Sequence, residues 1–109
     1  MKKAKEKVRK LSKEEVFGIL KHPIRVAILD LLYEQKGISW PMLRKKLDIS
    51  SGQLDYHLLK LLAAGLVVKK MSKTNRPIYE LSDVGTAVAR FLKKVRPVIE
   101  EALISIEIG

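Results

Sequence analysis

The sequence predicts a mostly α-helical domain with one small β-hairpin and a long C-terminal helix, and three observations carry that expectation. Apolar residues recur at helical spacing through most of the chain between Val16 and Leu62. Two short runs, Leu66 to Met71 and Ile78 to Leu81, flank the turn-rich SKTNRP and read as paired strands. From Val84 onward, apolar residues repeat at alternating spacings of four and three, over a helix too long for one small core to cover.

Each element has its own local signals. Ser12 and Glu15 have the spacing of a capping box, and Val16, Phe17, Ile19 and Leu20 give an apolar face to a first helix over 13–21. Pro23 suits the start of a second helix, in which Ile24, Ala27, Ile28, Leu31 and Leu32 face the core until Gly37 ends it. Ser39 caps a short third helix with Pro41 in its first turn and Met42, Leu43 and Leu47 on its buried side, ending near Asp48. Ser50 and Ser51 then offer an N-cap to a fourth helix whose stripe is Leu54, Leu58, Leu61 and Leu62, with Gly65 at the C′ position. Ser82 caps the last helix, which Pro97 should kink or restart. The expected division is a flexible basic arm over 1–11, a folded unit over 12–82 and an association helix over 83–109.

Composition narrows the class further. The chain has 109 residues, 22 Lys and Arg against 12 Asp and Glu, and no cysteine, which excludes disulfide scaffolds, thiolate metal centres and a cysteine nucleophile. Its net +10 is uneven. Residues 1–13 and 44–76 each carry +6, whereas 14–43 and 77–81 each carry −1 and 82–109 are balanced. The nearly apolar stretch from Leu58 to Val68 is about half the roughly 20 residues a spanning helix needs, and Glu14 and Glu15 follow the lysine-rich start where a signal peptide needs its apolar core. A cytoplasmic, nucleoid-associated protein is expected.

Three helices, a tight turn before the fourth, a hairpin and a final helix follow the order of a winged helix-turn-helix, with Pro41 to Ala64 as the helix-turn-helix unit. At HPIRVAILDLL (22–32), LDISSGQLDYHLLKLLAAGLV (47–67) and YELSDVG (79–85), the chain resembles ArsR-like winged helix-turn-helix transcriptional regulators. MarR-like winged helices share most of these features. The resemblance implies a homodimer on double-stranded operator DNA that blocks or redirects transcription, often with release when an effector binds. Metal-sensing members carry cysteines in the helix that here reads Trp40, Pro41 and Met42, and no histidine follows His57, so no metal and no cofactor is expected.

With the leucine stripe facing inward, the recognition helix, about 51–64, turns Gly52, Gln53, Tyr56 and Lys60 toward the opposite side. Gln53 is the leading base reader, since an amide can pair with adenine N6 and N7. Ser51 can cap the helix or reach a phosphate, and Gly52 allows close backbone approach. Asp55 either accepts from cytosine or serves the first-turn helix dipole. Tyr56 either meets DNA or packs against the wing, and His57 is expected to be a half-buried packing residue. Across the wing, 69–78, Lys69, Lys70, Lys73, Asn75 and Arg76 suit the DNA backbone or minor groove, and Arg44, Lys45 and Lys46 add phosphate contacts.

Val84, Val88, Phe91, Leu92, Val95, Val98, Ile99, Ala102, Leu103 and Ile106 form the expected dimer face. The alternative reading is a winged helix used as a protein-interaction module in a larger transcription or chromatin assembly, which explains that face but leaves the basic middle idle. An enzyme is not expected, because no nucleophile–base pair, carboxylate cluster or phosphate-binding glycine loop is visible.

Overall fold

A hydroxyl or proline stands at the start of each helix, where backbone N–H groups lack partners. The computed structural model describes residues 12–108, without the side chains of 13 and 106–108; the arm expected over 1–11 and the side chain of Ile106 lie outside the described residues. In chain order the elements are α1 (Lys13–Leu20), α2 (Pro23–Glu34), β1 (Ile38–Ser39), α3 (Trp40–Leu47), α4 (Ser51–Ala63), β2 (Val67–Met71), β3 (Pro77–Leu81) and α5 (Asp83–Ile108). Ser12 and Glu15 form the expected capping box, and Ser39 Oγ accepts from Met42 N. Ser50, not Ser51, caps α4: its Oγ accepts from Gln53 N at 3.1 Å while Gln53 Oε1 accepts from Ser50 N at 3.2 Å. Ser51 is the first helical residue.

The core lies where α2, α3 and α4 meet the sheet. Ile28, Leu29, Ile38, Leu43, Leu54, Leu61, Leu66 and Val67 are fully buried, joining every one of these layers in a single apolar cluster. The sheet has three antiparallel strands in the order β1-β3-β2, with Ile38 opposite Tyr79 and Lys69 opposite Tyr79 on the other side. The sequence reading missed β1, which is two residues long and exists only through its pairing with β3. Pro77 opens the central strand beyond the reach of β1, so its missing N–H removes no bond to that neighbour.

The junction after α4 joins three elements. Gly65 takes φ +79°, with Gly65 N donating to Leu62 O and Leu66 N to Leu61 O, the paired bonds of a Schellman stop. Leu66 is therefore the buried closing residue of that motif, and β2 begins only at Val67. Its carbonyl accepts from Ser82 N at 3.0 Å, Ser82 Oγ donates to Gly65 O at 2.6 Å, and the same Oγ accepts from Gly85 N at 3.0 Å. The start of α5 is thus fastened to the end of α4.

Further along, α5 is tied to α2 by Arg96–Asp30 at 3.0 Å and by Lys93–Glu34, whose contact holds the Glu34 carboxyl below its ordinary range. Val88 and Leu92 pack against the core, and Ala89 is fully buried. The helix runs on through Pro97 as one element, so the expected fresh start there does not occur. Two other expectations fail: Phe17 and Met42, assigned to buried faces, are exposed.

A Cβ on Gly85 would lie 1.9 Å from the Leu66 carbonyl oxygen, whereas one on Gly18 in α1 meets nothing within 4 Å. Gly85→Ala is expected to lose about 3 kcal/mol or more of unfolding free energy, because backbone must move on both sides of the contact. Gly18→Ala should gain about 0.5 to 1 kcal/mol from helix propensity and a less flexible unfolded chain. Urea unfolding of the two variants checks both signs.

Candidate nucleic-acid interface

Burial of Leu54, Leu58 and Leu61 fixes the rotation of α4 and turns Gly52, Gln53, Tyr56 and Lys60 to the opposite side, with Ser51 and Asp55 flanking the buried stripe; all six are exposed. Four of the six recognition-helix candidates, Gly52, Gln53, Tyr56 and Lys60, therefore share one outward surface. Their side chains are not equally free. Gln53 Oε1 is held by Ser50 N, leaving its amide nitrogen available, and Asp55 Oδ1 accepts from Trp40 Nε1 at 2.8 Å. That second bond ties the first turn of α3 to α4 across the helix-turn-helix, so Asp55 works within the fold. The tight turn between the helices is set by Asp48, which takes φ +54° at the C-cap of α3.

A group of rings and cations lies beside this surface. Arg25 on α2 is only 6% exposed, and its Nε donates to His57 Nδ1 at 2.9 Å. His57 is half-buried, and its ring stands edge-on to Tyr56 with centroids 5.0 Å apart and 5.4 Å from His22. Over the Tyr56 ring sit the Arg25 guanidinium at 5.7 Å and Lys60 Nζ at 5.5 Å. Tyr56 thus packs toward α2, not toward the wing. Sequence reasoning passed over Arg25, although 25, 28, 29 and 32 lie on one helical face and the other three are core residues. A cation on that face was the available signal.

The wing carries Lys69, Lys70, Lys73, Asn75 and Arg76 on its exposed surface. Lys70 is paired with Glu80 Oε1 at 3.1 Å, a diagonal contact between β2 and β3 that neutralises part of the wing's charge. The tip is ordered by its own bonds: Ser72 N donates to Arg76 O, Asn75 N to Ser72 O, and Arg76 N to Ser72 Oγ. Asn75 takes φ +63°, a conformation asparagine tolerates better than most residues. Lys73 and Arg76 flank that bend. Tyr79 is buried beneath the sheet near Asp55, and burial, followed by the Asp55 charge, pushes its phenol up. Arg44, Lys45 and Lys46 are exposed in the last turn of α3.

The association face divides. Val84, Phe91, Val98, Ile99, Ala102 and Leu103 are exposed, with Ile104 added to them, while Val88, Leu92 and Val95 are partly covered within the domain. Among the described residues no cluster of His, Cys, Asp and Glu could hold a metal ion, and no helix is long and apolar enough to cross a membrane.

With α3 and α4 as its helix-turn-helix and β2–β3 as its wing, the domain is a winged helix, extended by the long α5. Residues 13–92 match the family described as "Domain of unknown function (DUF7347)", and the chain belongs to that family. It is similar to Rv0081 of M. tuberculosis, at 31% identity over 89% of this chain and 93% of that chain, with a TM-score of 0.74. It shares its fold with the transcriptional repressor BigR from Xylella fastidiosa, at 20% identity, TM-score 0.66 and coverage of 78% and 83%. The same holds for MepR, a transcription regulator of the Staphylococcus aureus multidrug efflux pump MepA, at 16% identity, TM-score 0.68 and coverage of 87% and 84%. No curated protein matches the chain.

His57 provides a test of the packing beside α4. Burial, then the Arg25 charge, then His22 hold its imidazole below the ordinary histidine range. The unfolded chain takes up this proton first as pH falls, so the stability is present above about pH 6.5 and is lost toward the lower folded value. Urea midpoints should therefore drop between about pH 7.5 and pH 5.5, and His57→Gln should flatten that drop. An unchanged slope in the variant would show that other groups cause it.

Proposed function

We propose that this chain is a homodimeric, sequence-specific binder of double-stranded DNA that regulates transcription, most simply as a repressor of the ArsR-like kind. The observation that carries the proposal is the placement of charge: Arg44, Lys45, Lys46, Lys60, Lys69, Lys73 and Arg76 are all exposed on α3, α4 and the wing. A surface of that sign on a winged helix attracts the phosphate backbone and releases its counterions. The likeness of fold to BigR and MepR supports the proposal. Residues 12–82 form the DNA-binding unit, 83–109 the dimerisation helix and 1–11 a basic arm, in a cytoplasmic, nucleoid-associated protein that is not an enzyme.

On this proposal α4 enters the major groove and the wing follows the backbone or minor groove. Gln53 reads with its amide nitrogen, which can donate to adenine N7 while Oε1 keeps its bond to Ser50 N. Ser51 and Gly52 bring the first turn of α4 close to a phosphate, and Tyr56 and Lys60 lie further along the same face. The exposed part of α5, from Val84 through Phe91 and Val98 to Leu103, is the surface that a second copy covers. Twofold symmetry then sets two recognition helices about 34 Å apart, on successive major-groove faces of a pseudo-palindrome.

Titrations on a selected duplex and a random one, at several salt concentrations, test the proposal. Affinity should fall steeply with salt, and Arg76→Ala should lower the salt slope by about one without changing preference. Gln53→Glu keeps an acceptor for Ser50 N but removes the amide donor, so it should narrow the ratio of selected to random affinity by about tenfold. Val98→Glu places a charge in the proposed interface and should shift sedimentation from dimer to monomer. No duplex binding at low salt would overturn the proposal, and a monomeric wild type would overturn its dimeric half.

A further inference from the structure

Between α1 and α4 the surface folds into a cleft of about 430 Å³, within the size range of small-molecule sites. It is lined by Ile19 of α1, Arg25 of α2, and Tyr56, Lys60, Ala63 and Ala64 along and just after α4, with Ile19 and Ala64 buried. Gly18 leaves the α1 wall open, since a Cβ there would meet nothing within 4 Å. Arg25 is the unusual member. It is more than nine-tenths buried, yet among the described residues its Nε–His57 bond is its only hydrogen bond and no carboxylate pairs with it. A buried charge ordinarily has an opposite charge beside it. Here the guanidinium lies instead over the Tyr56 ring, and Nη1 and Nη2, which have no hydrogen-bond partner among the described residues, remain open to solvent.

We propose that this cleft binds a small organic anion, with its carboxylate or phosphate on the Arg25 Nη groups and the Lys60 ammonium and its apolar body against Tyr56, Ile19 and Ala63. A guanidinium fork matches the two oxygens of such a headgroup. The apolar lining requires more than an inorganic ion. Because Tyr56 and Lys60 belong both to the cleft and to the outward face of α4, an occupied cleft removes them from a duplex. The anion is therefore a competitor of DNA, a regulatory consequence that rests on the DNA-binding proposal above.

Calorimetric titration of the full chain without DNA tests the site, using benzoate and phenyl phosphate as probes and neutral benzamide as control. At least one anion should bind with a dissociation constant of about 1 mM or tighter, and benzamide about tenfold more weakly. Gly18→Leu places a side chain in the cleft from α1 and should abolish anion binding; Arg25→Lys, which keeps the charge but loses the fork, should weaken it about tenfold. In the duplex assay the anion should raise the apparent wild-type dissociation constant in proportion to its concentration, leave Gly18→Leu unaffected, and be displaced as duplex is added. Equal binding of benzamide, no binding of either anion at about 10 mM, or undiminished binding in Gly18→Leu would overturn the site. Anion binding with unchanged duplex affinity would overturn the competition. If the chain binds no duplex in the absence of any anion, the DNA-binding proposal fails with the competition it supports, and the titration without DNA still decides the site.

Discussion

The backbone of Leu66 is the point on which the relative placement of α4, the wing and α5 depends. Its N–H closes α4 by donating to Leu61 O, and its carbonyl, one peptide plane away, accepts from Ser82 N at the start of α5. Gly65 supplies the left-handed turn that α4 needs to stop there, and Gly85 supplies the missing Cβ that lets α5 approach the same carbonyl. Val67 then enters the sheet immediately. A displacement at Leu66 would therefore be felt at once by α4, the wing and the long helix. Side-chain packing alone would tolerate small slippage between them; a backbone hydrogen bond beside a close backbone contact does not.

Much of this framework was legible because it is written in local signals. Ser12, Ser39, Gly65 and Ser82 act at caps within a few residues of themselves, and the Leu54–Leu58–Leu61 stripe has the 3.6-residue period of a helix. What was not legible depends on partners distant in sequence. β1 is two residues long, too short for periodicity, and is defined by strand β3 some 40 residues later. Arg25 was invisible as a buried group because its partner His57 is 32 residues away. Met42 has helical spacing like Leu43 but faces outward, a difference that only the packing of α3 decides. Ser50 and Ser51 are chemically identical, and the geometry of the turn after Asp48 chose between them.

The same distinction bears on the candidate site. Counting cations was enough to place exposed lysines and arginines on α3, α4 and the wing, since such side chains need no long-range partner. The commitments of individual groups were hidden. Asp55 is spent on Trp40, Lys70 on Glu80 and half of the Gln53 amide on Ser50, so the chemistry available to a ligand is smaller than the sequence suggests. Those internal bonds also make the surface more rigid. A recognition surface whose polar groups are held by neighbours loses less rotamer entropy on binding than one of free side chains.

The long helix has two physically different halves, and the division accounts for its length. Its first half is fixed: Ser82 and Gly85 seat it on Leu66, Ala89 is fully buried, and Lys93 and Arg96 reach Glu34 and Asp30 on α2. Beyond Pro97 the side chains from Val98 to Ile104 are exposed, with no hydrogen bond or ion pair to the rest of the domain among the described residues. At about 1.5 Å per residue, a helix anchored over three turns carries its orientation outward for a further 15 Å or more. If a second copy pairs along that outer half, the angle between the two α4 helices is set jointly by the Leu66 junction, which fixes each α4 against its own α5, and by the crossing of the two α5 helices. The junction would then pass the geometry of the dimer contact on to the two reading heads without slack.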